Sequence, residues 1–174
     1  MSQITLQYGV SLGTVPTAWS IGLRSLIEKK VQDIDLEFFS QLGADDILFI
    51  DSSHTVKIGG DVNYLFLEVL PRLKPGVIVH VHDIFLPFDY RRDWVVSELR
   101  FWTEQYLLQA FLSFNSEFEV LMGNSYLAYQ YMEDLKAAFP NSPWWGGEVS
   151  GCDGDSAKQT ESPRPCAEFG HHNE

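Results

Sequence analysis

The chain has 174 residues, 45% hydrophobic and 14% aromatic, enough for one globular domain with a sizeable core. Twenty-four acidic residues against twelve basic ones give a formal charge of -12, which repels a phosphate backbone and excludes a basic nucleic-acid face. No export signal and no apolar stretch long enough to span a bilayer is legible, so the expectation is an acidic cytoplasmic protein without membrane or nucleic-acid partners.

Residues 1–30 show no sustained period, because Gly9, Gly13, Pro16 and Gly22 interrupt it, and they are set apart as a divergent amino-terminal segment. A single domain is expected over residues 31–145. It begins with a short helix over 36–42, followed by the apolar run Ile47, Leu48, Phe49, Ile50, a buried strand that ends in Asp51-Ser52-Ser53-His54. After Gly59-Gly60, residues Val62, Leu65, Phe66, Val69 and Leu70 recur at helical spacing until Pro71 and Pro75-Gly76 close the helix.

The β-branched run 77–82 predicts a second strand ending at Asp83. Strand, helix and strand in this order predict a right-handed parallel crossover. One long helix is expected over 93–114, with Val95, Leu99, Trp102, Tyr106 and Phe111 along one side, then a strand over 118–122 and a helix over 126–139. From Gly146 the composition turns to Gly, Ser, Asp, Pro and Glu, which predicts a disordered polar tail over 146–174. Cys152 and Cys166 lie in it. Cys166 with His171 and His172 falls short of the four closely spaced ligands of a structural zinc site.

Ligands of open parallel sheets bind beyond the carboxyl ends of the strands. Asp51 and Asp83 reach that edge from adjacent strands, and two carboxylates brought together repel unless a cation lies between them; magnesium is the simplest candidate. His54, one turn past Asp51, is placed to take a proton from a hydroxyl acidified by such a metal. Plainer readings stand beside these. Asp51 and Asp83 are also good turn caps, and His80 and His82 read as hydrogen-bonded core residues on one strand face. Asp61 suits the first turn of its helix, and Trp94, Trp102 and Tyr106 suit a core.

Four segments carry a resemblance: Val31-Gln32-Asp33, DILFIDSSH at 46–54, DVNYLFLEVLPRLKPGVIVHVHDIFLPFDY at 61–90, and WTEQYLLQAFLSFN at 102–115. Over residues 30–140 the chain resembles class I S-adenosylmethionine-dependent methyltransferases. Within them it is similar to methyltransferase domain family 24, whose members include metal-dependent O-methyltransferases of sugars and other small hydroxylated compounds. The resemblance implies an α/β fold of partial Rossmann-like type, with a mainly parallel sheet and flanking helices. It implies S-adenosylmethionine and magnesium as cofactors, with Asp51 and Asp83 as metal ligands and His54 as general base. Gln32, Asp33 and Ser52 become cofactor contacts, Asp33 accepting from the adenine amino group, and the loop 84–93 covers the substrate. Asp33 reads equally well as the cap of the helix before Leu36.

Two features depart from that family. Gly9-Val10-Ser11-Leu12-Gly13 is not the glycine-rich turn through which backbone approaches the methionine part of the cofactor, and residues 1–27 hold no acid for the ribose hydroxyls. The amino-terminal cofactor-binding strands therefore read as missing or replaced. A half sheet leaves a bare edge and an uncovered apolar face, which predicts a truncated chain, a homo-oligomer or a completing partner chain. Three functions are compatible with this: a magnesium-assisted O-methyltransferase, a non-catalytic methyltransferase-like fragment or partner-completed binding module, and a metal-dependent hydrolase using Asp51, His54, His82 and Asp83.

Overall fold

The computed structural model describes residues 3–7, 27–141 and 169–171. Its centre is the pair of strands foreseen from the apolar runs, β2 (Ile47–Asp51) and β3 (Ile78–Val81), which lie parallel with Ile50 opposite Val81. Both alternate in burial. Leu48, Ile50, Val79 and Val81 face the core, while Ile47, Phe49, Ile78 and His80 point to a half-covered face. On that second face Phe49 stacks on His80 at 4.6 Å with the rings 6° from coplanar, and His82 tilts onto Phe49 at 5.7 Å. His80 and His82 thus share one strand face, as their spacing requires.

The β2-to-β3 crossover is one helical body. It starts as α2 (Asp61–Tyr64), widens into a π turn over Leu65–Val69 and tightens into a 3-10 turn over Leu70–Arg72. Pro71 cannot donate to an α-helical ladder, which accounts for the tightened end. Val62, Phe66, Val69 and Leu70 from this body close over the core face of the sheet, each 1% exposed or less. Burial of side chains this size contributes about 1.5–3 kcal/mol apiece. The turn into α2 depends on Gly59, whose φ of 66° lies in the left-handed region, and on Gly60, where a Cβ would meet Cγ of Lys57 at 2.9 Å.

Three more strands, β1 (Gln3–Gln7), β4 (Phe118–Val120) and β5 (Phe169–His171), complete the sheet in the order β1, β2, β3, β5, β4. Strand β1 (Gln3–Gln7) runs parallel to β2 with Gln7 opposite Asp51. Strand β5 (Phe169–His171) is antiparallel to both β3 and β4 (Phe118–Val120). The result is a mixed α/β fold with a small parallel sheet and flanking helices, compatible with a methyltransferase fold.

The amino-terminal cofactor-binding strands read as missing or replaced, and a strand forms there, at Gln3–Gln7. The polar tail contributes a strand at Phe169–His171, because backbone pairing between β3 and β4 needs no apolar run of its own. Gly9, Gly13, Cys152, Cys166 and His172 lie outside the described residues.

The long helix expected over 93–114 needs correction. It is two helices, α3 (Arg92–Val96) and α4 (Glu104–Ser113), separated by an irregular turn. The amides of Ser97 and Glu98 fold back to Asp93 O and that of Arg100 to Trp94 O, while Leu99 takes a φ of 56°. Helical spacing of apolar residues continues through the break, although Leu99 is exposed there. The helix expected over 126–139 is likewise a pair, α5 (Asn124–Gln130) and α6 (Met132–Ala138). The short helix before β2 is α1 (Leu36–Phe39), capped by Asp35, whose side chain accepts from the amide of Glu37 at 3.0 Å. Asp33 is therefore not that cap.

Candidate functional site at the carboxyl ends of β2 and β3

The parallel register carries Asp51 and Asp83 to the same sheet edge, with His82 bound through its amide to Ile50 O at 2.8 Å. Both chain exits turn sharply. His54 has a φ of 54° and Asp83 a φ of 56°, left-handed conformations that cost of order 1–3 kcal/mol in a side-chain-bearing residue, less for aspartate. Those turns bring His54 back between the acids: its Nε2 lies 3.5 Å from Asp51 Oδ1 and 3.8 Å from Asp83 Oδ2. His82 Nδ1 approaches the same pair from the outer side, at 3.2 Å from Asp83 Oδ1 and 3.9 Å from Asp51 Oδ1.

The sequence did not single out Glu104. This residue opens α4, is fully buried, and places Oε2 2.7 Å from His54 Nδ1. Its other oxygen, Oε1, accepts from the hydroxyl of Ser52 at 2.8 Å, and the same hydroxyl oxygen accepts from the amide of His54 at 2.9 Å. Ser52, expected to touch cofactor, is buried and occupied in this network. A signal for Glu104 was present: at i, i+4 and i+7 it shares a helix stripe with Leu108 and Phe111, an acid on an apolar face.

The loop around the site is held from several sides. The carbonyl of His54 accepts from the amides of Thr103 at 2.7 Å and Glu104 at 3.1 Å, and Thr103 Oγ1 accepts from the amide of Val56 at 2.8 Å. Asp61, at the first turn of α2 as expected, is 2% exposed and accepts from the amide of Ser53 at 2.7 Å and its hydroxyl at 2.6 Å. Trp102 lies against the imidazole of His54 with centroids 4.2 Å apart, and Trp94 and Tyr90 pack edge-on to Trp102. The guanidinium of Arg100 sits 4.5 Å above Trp94 and 5.1 Å above Trp102. The aromatic residues form a packed wall beside the histidine.

Charges at the site are compensated by histidine. The hydrogen bond to Asp83 raises the His82 pKa above its ordinary 6.5, against an opposing effect of burial, with Asp83, Asp51 and Glu104 adding to the rise. Burial pushes the Asp83 carboxyl up, but the hydrogen bond from His82 and the charges of His82, His54 and Arg100 prevail and hold it below 3.8. Tyr90 is pushed well above its ordinary 10.0 by burial.

Beside Asp83 an open cleft of about 300 Å³ is lined by His82, Asp83, Phe85, Met122, Asn124 and Ser125, at the small end of ligand sites. On the other side of the loop, Gln32 donates from Nε2 to Gly59 O at 3.0 Å, and its Oε1 is buried without a hydrogen-bond partner, as is Oδ1 of Asn63. Asp33, at the end of the 3-10 turn Val31–Asp33, is exposed. Gln32 and Asp33 thus belong to the Gly59 side, while Asp51, Ser52, His54 and Asp83 come together at the strand ends.

A magnesium ion between Asp51 and Asp83 was expected. Among the described residues no group of three or more His, Cys, Asp or Glu side chains is arranged to hold a metal. Nε2 of His54 lies between the two carboxylates, 3.5 Å from Asp51 Oδ1 and 3.8 Å from Asp83 Oδ2. The four side chains considered for a hydrolase, Asp51, His54, His82 and Asp83, do converge, but as histidine-to-carboxylate pairs. Among the described residues no helix is long and apolar enough to cross a membrane.

No curated protein and no solved structure matches the chain. A family model does: methyltransferase domain, family 24, matches a segment that includes β2, α2, β3, Asp51, His54 and Asp83, and that starts earlier and ends sooner than the resemblance read from the sequence. That match supports a methyltransferase, and with it the use of S-adenosylmethionine in general. Residues 11–84 match the methyltransferase domain, consistent with the class I S-adenosylmethionine-dependent methyltransferase family.

Proposed function

We propose that the chain transfers a methyl group from S-adenosylmethionine to a hydroxyl of a small molecule, with His54 as the general base. The observation that carries this reading is the position of His54 Nε2, at a strand-end edge between Asp51 and Asp83, on an imidazole that is only 5% exposed. General bases contribute about 10²- to 10⁴-fold where they reach the proton they remove.

S-adenosylmethionine supplies an electrophilic methyl on its sulfonium when bound. Gln32 is suited to the adenine amino group, because its buried Oε1 is an acceptor lacking a donor, and Asp33 stands next to it as a second acceptor. The acceptor hydroxyl approaches the strand-end edge by way of the cleft beside Asp83. His54 takes the hydroxyl proton on Nε2 as the oxygen gains the methyl carbon, so that the products are a methyl ether, the neutral thioether and an imidazolium. That imidazolium forms between two carboxylates, and the attraction favours the proton-accepting step.

Transfer of labelled methyl from S-adenosylmethionine to a panel of sugars, glycosides and catechols tests the proposal. Product on at least one hydroxylated compound, reduced about 10²- to 10⁴-fold by His54→Asn with unchanged cofactor affinity, is the expected result. Product formation undiminished in His54→Asn would remove the histidine from its role.

A further inference from the structure

Every polar handle of His54 except Nε2 is already engaged. Its amide donates to Ser52 Oγ, its carbonyl accepts from the amides of Thr103 and Glu104, and its Nδ1 meets Glu104 Oε2 at 2.7 Å. One ring face is covered by Trp102. Glu104 in turn is fully buried and has a donor for each oxygen, the Ser52 hydroxyl at Oε1 and the imidazole at Oε2. A buried carboxylate is tolerated when both oxygens are satisfied, and such bonds are stronger than neutral ones.

A carboxylate accepts only. The nitrogen facing it must therefore carry the hydrogen, which in a neutral imidazole leaves the lone pair on the other nitrogen. We infer that Glu104 is a positioning residue that holds His54 as the Nδ1–H tautomer and aims the bare Nε2 at the space between Asp51 and Asp83. This deepens the proposed function and rests on it, since the tautomer serves a base that works through Nε2. The residue comes from α4, outside the matched segment 11–84. The base is thus completed by a part of the chain beyond the matched methyltransferase segment, through the loop that ends in Trp102 and Thr103.

Glu104→Gln tests the assignment with little change of shape. Glutamine offers one acceptor where glutamate offers two, so Ser52 and Nδ1 compete for it, and an amide N–H turned toward Nδ1 reverses the tautomer. Ser52→Ala is the companion variant, which frees Oε1 but leaves the contact with Nδ1. The readout is the imidazole ¹⁵N spectrum of the intact chain labelled at histidine, recorded at mildly alkaline pH without any ligand.

For His54 the expected spectrum of the unaltered chain has a pyrrole-type signal at Nδ1 and a pyridine-type signal at Nε2. The pattern is retained in Ser52→Ala and is averaged or reversed in Glu104→Gln. A pyrrole-type signal at Nε2 in the unaltered chain, or an unchanged pattern in Glu104→Gln, would overturn the inference. The spectrum needs no cofactor or acceptor, so a failed methyl-transfer assay leaves it readable. Conversely, methyl transfer in a chain whose Nε2 carries the hydrogen would defeat the positioning role and His54 as a base through Nε2, and would leave methyl transfer itself standing.

Discussion

His54 and Glu104, fifty residues apart in sequence, meet through a 2.7 Å contact that joins the end of β2 to the first residue of α4. The neighbouring network is built the same way, from buried polar groups that each have a named partner. Removing one partner leaves the other desolvated and unpaired, and the following expectations use that asymmetry.

Asp61→Ala strips both acceptors from Ser53, whose amide and hydroxyl are bound at 2.7 Å and 2.6 Å. Because Asp61 is 2% exposed, the loss should destabilise the chain by about 1–3 kcal/mol, and urea unfolding measures it. A change within about 0.5 kcal/mol, the range of ordinary surface substitutions, would show that the turn from Ser53 to His54 is held by other contacts.

His82 and Asp83 give a pH window. A histidine whose folded pKa is raised contributes stability that is fully present below 6.5 and is lost as pH rises through the raised value. An aspartate whose folded pKa is lowered contributes stability that is present above 3.8 and is lost as pH falls through the lowered value. The pair therefore stabilises between those limits. His82→Asn should lower stability relative to the unaltered chain at about pH 5, with the deficit closing by about pH 9. The His82 side chain is 46% exposed, so the effect is small and shrinks with added salt. A deficit that grows toward alkaline pH would reverse the assignment.

Metal removal is predicted to change little. An ion resident between Asp51 and Asp83 at about a hundred times its Kd would add about 2.7 kcal/mol of stability. Thermal unfolding in millimolar magnesium and in a chelator should give the same midpoint. A higher midpoint with magnesium, abolished by Asp83→Asn, would restore the metal to the site.

Gln32→Ala separates folding from cofactor binding. The buried Oε1 lacks a donor, so its removal relieves an unpaired acceptor at the cost of one hydrogen bond to Gly59 O. Stability should move by no more than about 1 kcal/mol, while affinity for S-adenosylmethionine falls. Equal affinity in the variant would detach Gln32 from the adenine.

The strands and the edge acids were legible because a buried strand announces itself in four or five consecutive residues, and register then places Asp51 and Asp83 together. His54 was legible by its spacing from Asp51. Glu104 was not, because its partner is fifty residues away and the helix it opens seemed to begin at 93. The start of α4 at Glu104 is tied to the end of β2 by a tertiary contact, the two amides bound to the His54 carbonyl. The resemblance implies Ser52 as a cofactor contact, and its small size and burial suit it to bridge Glu104 and the His54 amide. Strand β5 was hidden for a related reason: three residues, one of them glycine, have no period to read, and only the gap between β3 and β4 defines them.

Isothermal titration of the intact chain with S-adenosylmethionine tests the central claim most directly, because every step assigned to His54 presupposes that cofactor. Saturable binding in the micromolar range, competed by the demethylated product, is the predicted result. No heat of binding from a chain shown to be folded, at cofactor concentrations in the millimolar range, would contradict it.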